Sequence, residues 1–203
     1  MDEGHSEKVA GRPRSPWVEE RILDVTMKQL KEFGYARMSI DHVASESGIG
    51  KPAIYRRWSG KADLATAALR RLQISEPEIA ARSTVDQLRQ VLENFRRSLL
   101  RPHGMALVGT VLAEEAHTPE LLRLFRERLV IPRRMSLRRI LEGARGRNEL
   151  RDGAAIDAAV AMLIGAVYAQ YLAESKVSPA FVRDVVETIW SGIRAEDSGV
   201  VEL

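Results

Sequence analysis

Cysteine is absent from all 203 residues, which excludes disulfides, thiolate metal sites and cysteine nucleophiles. That absence fits a reducing compartment. Long apolar runs are missing as well. The longest, Ala158 to Ala169, spans 12 residues between Asp157 and Gln170, short of the about 20 that cross a bilayer. Met1 to Pro16 is polar and of mixed charge, with no apolar segment to act as a signal peptide. The expectation is a soluble, cytoplasmic protein with no membrane partner. Sustained alternation of apolar and polar residues does not occur, and Asp152-Gly153 lies between two helical patterns rather than two strands, so β-hairpins are not expected. The enzyme motifs G-x-S-x-G, P-loop and H-E-x-x-H are also missing. Glu114 and His117, with His103 nearby, read as a solvated edge rather than a metal site, and Asp41-His42 cannot share one helix face. No catalytic residue, metal or cofactor is expected.

What is present is an ordinary globular balance, 45% apolar and 29% charged. The net charge of +3 is unevenly placed. Residues 1–71 carry 13 Lys/Arg against 10 Asp/Glu, whereas residues 72–203 carry 18 of each. Between Gly48 and Lys61 there are four basic residues and no acid, the local field a nucleic-acid surface requires.

Apolar residues recur at helical steps, as at Ile22, Leu23, Met27, Leu30 and Phe33. The pattern predicts an all-α fold of about nine helices. Helix 1 runs from Trp17 to Phe33 and stops at Gly34. Ser39 caps helix 2, Ile40 to Ser47, Gly48 makes the turn, and helix 3 covers Lys51 to Trp58. Helix 4 runs from Lys61 to Ile74. Ser75 to Ser83, containing Pro77, reads as a boundary. The division is therefore a flexible arm (1–16), a head (17–74) and a body (75–203). In the body, helix 5 runs from Thr84 to Leu100 and helix 6 from Pro102 to Ala116. Helix 7 opens with a capping hydroxyl at Thr118 and continues to Ala144, kinked at Pro132. Helix 8 covers Ala154 to Ser175 and helix 9 covers Ser178 to Arg194.

The informative stretch is Ser39 to Trp58. Two short helices meet at a turn around Gly48; small Ala44 allows close approach, and Val43, Ile49 and Ile54 fill the space between them. This is helix-turn-helix logic, with the second helix in the major groove. Lys51, Pro52, Ala53 and Arg56 face base edges, where arginine pairs bidentately with guanine and apolar groups touch a thymine methyl. Ser39 and Lys61 flank the groove at phosphates. Tyr55 is either a core aromatic or, with its hydroxyl at a phosphate, part of the interface. Arg12 and Arg14, held extended by Pro13, either enter an adjacent minor groove or belong to a solubilising tail.

The residues Ile22-Leu23, Phe33-Gly34-Tyr35, Ser39, Val43-Ala44, Gly48-Ile49, Lys51, Ile54-Tyr55-Arg56-Arg57-Trp58, Lys61 and Leu64 together resemble the TetR/AcrR family of transcriptional regulators. Two departures stand out: Gly50 where that family most often has serine, and Pro52 where glycine or alanine is common. The resemblance implies an N-terminal three-helix DNA-binding head joined through helix 4 to a ligand-binding and dimerisation body. It also implies a homodimeric repressor that reads a palindromic operator in double-stranded DNA. A small effector would release it, displacing helix 6 against helix 4.

The same resemblance places the dimer contact on helices 8 and 9. Helix 8 is rich in small residues, and Gly165 in its middle costs about 1 kcal/mol against alanine, which close packing can offset. Ala158, Ala161, Met162, Gly165, Ala169, Val182, Val185 and Ile189 are the interface candidates, the alternative being that helix 8 is simply a buried central helix. Candidates for a ligand pocket are Phe95, Leu99, Met105, Val108, Leu112, Phe125, Met135, Tyr168 and Tyr171, with Leu124 and Trp190 beside them. Each is equally an ordinary core residue, and the set suits a hydrophobic effector, aromatic or cationic-amphiphilic.

Overall fold

A computed structural model of the chain describes residues 16–71 and 83–196. The helices are α1 (Pro16–Arg37), α2 (Ile40–Ser47), α3 (Lys51–Tyr55), α4 (Lys61–Arg70), α5 (Thr84–Leu99) and α6 (Gly104–Ala113). They continue with α7 (Pro119–Phe125), a π-helical segment (Arg126–Val130), α8 (Ile131–Gly146), α9 (Ile156–Glu174) and α10 (Pro179–Ile193). Because α7, the π segment and α8 run on without a break, the described residues form nine rods, as the periodicity predicts. They contain no strand; one isolated bridge pairs Leu150 with Arg194. The expected arm, including Arg12 and Arg14, and the expected boundary after residue 74 lie outside the described residues.

Local chemistry accounts for several ends. The Ser39 hydroxyl accepts the His42 amide at 3.1 Å, Ser83 that of Asp86 at 3.1 Å, and Ser178 that of Phe181 at 3.0 Å, each filling one orphan donor of a first turn. Thr118 is an exception. It makes no side-chain cap to α7; its hydroxyl meets Glu114 Oε2 at 3.4 Å instead. Gly48 ends α2 at φ 72°, a left-handed conformation that favours glycine. At Gly34 the backbone leaves helical geometry (φ 71°, ψ 178°), so α1 breaks where predicted and resumes for one turn. Helix 3 closes at Tyr55, three residues early, because the chain turns through Arg56 and Arg57 to bury Trp58.

Pro132 deforms its rod by a route periodicity does not show. Proline lacks an amide and its ring crowds the carbonyl four residues earlier, here that of Arg128. Directly before it the helix widens by one residue, and the Ile131 amide donates to the Arg126 carbonyl, a π turn of the sort that relieves such crowding.

Packing does not follow chain order. One apolar cluster joins the head (Ile22, Leu30, Val43, Ile54, Trp58, Leu64) to Leu107, Val111, Leu121, Phe125 and Leu129 of α6, α7 and the π segment. A second gathers α5, α8, α9 and α10 around Leu88, Leu92, Leu137, Leu141, Leu163 and Val186. α4 lies mainly on α1, α7 and the π segment, and α6 lies on α1. α4 and α6 both contribute to the first cluster, with α7 and the π segment packed more closely on α4. By length and composition α9 could cross a membrane, although no uninterrupted apolar run is that long. Its buried face, Ala159, Val160, Leu163 and Val167, packs within the second cluster, so one side of the helix belongs to the core of the body.

Candidate nucleic-acid interface and ligand cavity

α3 is anchored from below by Ile54 and Trp58, both buried. That leaves Gly50, Lys51, Pro52, Tyr55 and Arg56 exposed on its outer side, with Ala53 half-buried. Tyr55 is 54% exposed, so of its two readings the core aromatic is the one the structure rejects. Arg57, by contrast, folds its guanidinium back onto the Ala53 carbonyl at 2.8 Å. A Cβ at Gly50 would meet only Pro52 Cδ, at 3.6 Å; serine would fit there, and its absence is not steric.

Two of the residues expected at phosphates and bases also make contacts within the chain. The Lys51 ammonium is paired with Asp41 of α2, which holds the lysine proton more tightly than usual, through the hydrogen bond first and charge second. Lys61 Nζ donates to the Ala36 carbonyl at 3.0 Å and sits 4.4 Å from the Tyr35 ring centroid. Burial lowers its pKa. Lys61 thus ties α4 to the end of α1 in this conformation. Asp41 was not anticipated. Replacing it with asparagine is expected to free Lys51 and raise affinity for duplexes of any sequence, with the log–log salt slope steeper by about one phosphate contact for each recognition helix bound; titrations at several salt concentrations check this.

Behind α3 lies a cross-link that sequence reasoning missed. Arg128 of the π segment meets Asp63 Oδ1 at 2.6 Å, and the same Nη1 donates to Thr66 Oγ1 at 3.0 Å and to the Asp63 carbonyl at 3.2 Å. Asp63 Oδ2 in turn accepts from the Ser59 amide at 2.7 Å and its hydroxyl at 3.0 Å. Burial pushes this carboxyl up, but the Ser59 amide, Arg128 and the Ser59 hydroxyl together hold it below the ordinary aspartate value. A depressed folded pKa means that stability is contributed above the ordinary aspartate range near pH 4. It is lost as pH falls through the lower folded value. Asp63→Asn should cost about 1.5–3 kcal/mol at neutral pH, the range for hydrogen bonds to a charged group. The difference from wild type should shrink in acid, as urea unfolding at both pH values would show.

The body contains a small apolar cavity of about 40 Å³ lined by Leu69, Phe95, Ser98, Leu99, Gly104, Leu107, Val108, Phe125, Leu129, Arg133 and Tyr168. Phe95, Leu99, Val108, Phe125 and Tyr168 were expected there. Met105 and Tyr171 instead pack on the second cluster, Leu112 points outward from α6, and Met135 edges a neighbouring groove. Phe95 and Tyr168 meet edge-on at 5.2 Å, and burial raises the Tyr168 pKa. Gly104 is required by close approach, since a Cβ there would lie 2.4 Å from the Leu99 carbonyl oxygen. Helical spacing along one element cannot reveal Leu69, Leu107, Leu129 or Arg133, which converge from four different elements.

On α9, Ala158, Ala161, Met162, Gly165 and Ala169 line one exposed side, extended by Leu172. Val185 and Ile189 of α10 are half-buried. Val182 needs correction: at 0% exposure it belongs to the monomer core and has no surface to offer a partner. Among the described residues no group of three His, Asp or Glu side chains is placed to hold a metal.

A helical head with an exposed cationic turn-and-helix, joined to a helical body, defines the class of helix-turn-helix DNA-binding regulators. Residues 22–68 match the pattern of bacterial regulatory proteins of the TetR family. Residues 79–189 match a tetracyclin repressor-like C-terminal domain. The chain is 31% identical over 156 residues to the uncharacterized HTH-type transcriptional regulator Rv1556 of Mycobacterium tuberculosis, covering 74% of this chain and 76% of that one. With YdeS of Bacillus subtilis, also an uncharacterized HTH-type regulator, it shares 26% identity over 91% of its own length and 94% of the relative's. Among solved structures, the TetR family regulator SCO0332 superposes with a TM-score of 0.64 at 25% identity, over 86% of this chain and 97% of that one. FadR from Bacillus subtilis in complex with stearoyl-CoA gives 0.67 at 20% identity, over 86% and 98%. This chain belongs to the TetR family: it is a DNA-binding transcriptional regulator and not an enzyme. Regulators of this family bind DNA, act as dimers and respond to small molecules.

Proposed function

We propose that the chain is a cytoplasmic repressor that binds a palindromic operator as a homodimer and is released by a small hydrophobic effector. The observation that carries this reading is the outer side of α3, where Tyr55 and Arg56 stand exposed over a buried Ile54–Trp58 base. Nothing in packing requires an arginine there. Ser39, at the N-terminus of α2, and Gly50 to Ala53, at that of α3, complete a surface suited to phosphates and base edges.

Two copies closing on the exposed side of α9, with Val185 and Ile189 of α10 at its edge, would present two recognition helices to one DNA face. Their spacing should match one turn of B-DNA, about 34–36 Å. Release follows from the contacts already described. An effector filling the cavity presses on Leu129; its neighbour Arg128 grips Asp63, and Asp63 holds Ser59 beside the end of α3. Shifting that grip tilts α4 and spoils the spacing. Operator and effector then oppose each other by the same factor in both directions.

Selection of bound duplexes from a random pool tests the reading. A symmetric consensus, with affinity falling steeply as salt rises, is the expected result. A folded protein with no duplex preference at low salt would overturn it.

A further inference from the structure

We propose that each copy of the chain inserts its Leu172 into a pocket between α8 and α9 of the other, the two α9 helices running antiparallel and crossing at Gly165. This rests on the homodimer reading. It adds α8 to the contact and fixes the register.

The pocket has a volume of about 170 Å³ and is lined by Ile131, Arg134, Met135 and Arg138 of α8 with Asp157 and Val160 of α9. A water molecule takes a share of about 30 Å³, so a branched aliphatic side chain has room. Val160 is buried, whereas Ile131 and Met135 are large apolar residues left exposed. Arg138 is already matched, to Asp157 at 3.0 Å and to Glu142 at 3.5 Å. Arg134 is not: it has no carboxylate partner among the described residues.

The occupant follows from symmetry. Leu172, at 74%, is the most exposed large apolar side chain among the described residues. It lies seven residues, about two helical turns, beyond Gly165 and so on nearly the same line along α9. A Cβ at Gly165 would meet nothing within 4 Å, which makes this the point where a second backbone can come nearest. A two-fold axis there gives an isologous contact and sets Leu172 opposite the partner's Ala158. Ala158 adjoins Asp157 of the pocket, and with Ala161 it is too small to bar the way.

Charge agrees with this register. Glu174, exposed two residues past Leu172, also lacks an ion-pair partner among the described residues, and the same symmetry carries it to the unmatched Arg134 of the other copy. Parallel helices would instead stack Asp157 on Asp157, Glu174 on Glu174 and Leu172 on Leu172, facing like charges and leaving the pocket empty. Ile131 also closes the π turn that carries Arg128, so the partner's Leu172 packs on the start of the rod that grips the head through Asp63.

A chain without cysteine allows thiols to be introduced in chosen pairs. Leu172→Cys combined with Met135→Cys, both at exposed positions, is expected to give a two-chain product with a short bismaleimide. Leu172→Cys alone should not, because its two copies would stand about 21 Å apart across the axis. Arg134→Glu and Glu174→Arg should each weaken dimerisation about tenfold in sedimentation, since two like-charge contacts replace two opposite ones. Combining them should restore it. A protein that sediments as a dimer but gives no paired-thiol product, a product from Leu172→Cys alone, or a charge swap without recovery would overturn the inference and leave the homodimer reading standing. A wild-type chain that sediments as a monomer would overturn both.

Discussion

Gly165→Arg is expected to yield a folded monomer that has lost operator binding. Gly165 sits exposed in the middle of α9, and a Cβ there meets nothing within 4 Å. The monomer therefore accommodates the side chain, and its helix gains propensity, worth up to about 1 kcal/mol. A dimer closing on Ala158, Ala161, Met162, Gly165 and Ala169 would instead bury a guanidinium without a counter-ion, which is strongly unfavourable. Two half-sites read by linked heads gain roughly 10²- to 10⁴-fold over one, and a monomer forfeits that gain. Sedimentation should show one-chain particles with unaltered circular dichroism, and duplex affinity should fall by that factor. A variant still sedimenting as a dimer would place the contact elsewhere.

Arg56→Ala is the second large effect, and it separates reading from positioning. Arg56 is exposed one residue past the end of α3, so truncation leaves the packing of the head untouched. A bidentate arginine–guanine contact is worth about 1–3 kcal/mol of discrimination. With one contact in each half-site, the dimer would lose about 2–6 kcal/mol at the affected base pairs. In the selected sequences, preference should vanish at one position per half-site and persist at the others. Tyr55→Phe, which removes only a hydroxyl, should weaken binding to all sequences alike. If Arg56→Ala lowered affinity uniformly, its role would be a phosphate contact.

The part of the site that could be read from the chain is the part built from neighbours in sequence. Ser39, Gly48 and the run from Lys51 to Trp58 form a local unit whose caps, turn and apolar spacing are each set within a few residues. The places where expectation and structure part company involve distant residues. Lys61, expected at a phosphate, also lies over Tyr35, from a helix more than twenty residues earlier in the chain, a contact its own sequence neighbours do not reveal. Lys51 was free in the sequence and is paired with Asp41 across the turn. Val182 carries the same apolar signal as Val185, and only the rotation of α10 against α5 and α9 decides which of them is sealed in the core. The cavity shows the same limit: five of nine expected residues line it, and the others share their chemistry but face different neighbours.

Sequence alone determined the all-helical class, the helix-turn-helix and its exposed cationic helix, because periodicity and capping act over one or two turns and depend on residue type. It also determined that Pro132 must disturb its helix. Tertiary structure decided that the disturbance is a π turn and that Arg128 projects from it onto Asp63. Those outcomes depend on which helices pack together and at what rotation. Packing of that sort is settled by the summed fit of many apolar side chains, a property that no short stretch of the chain contains.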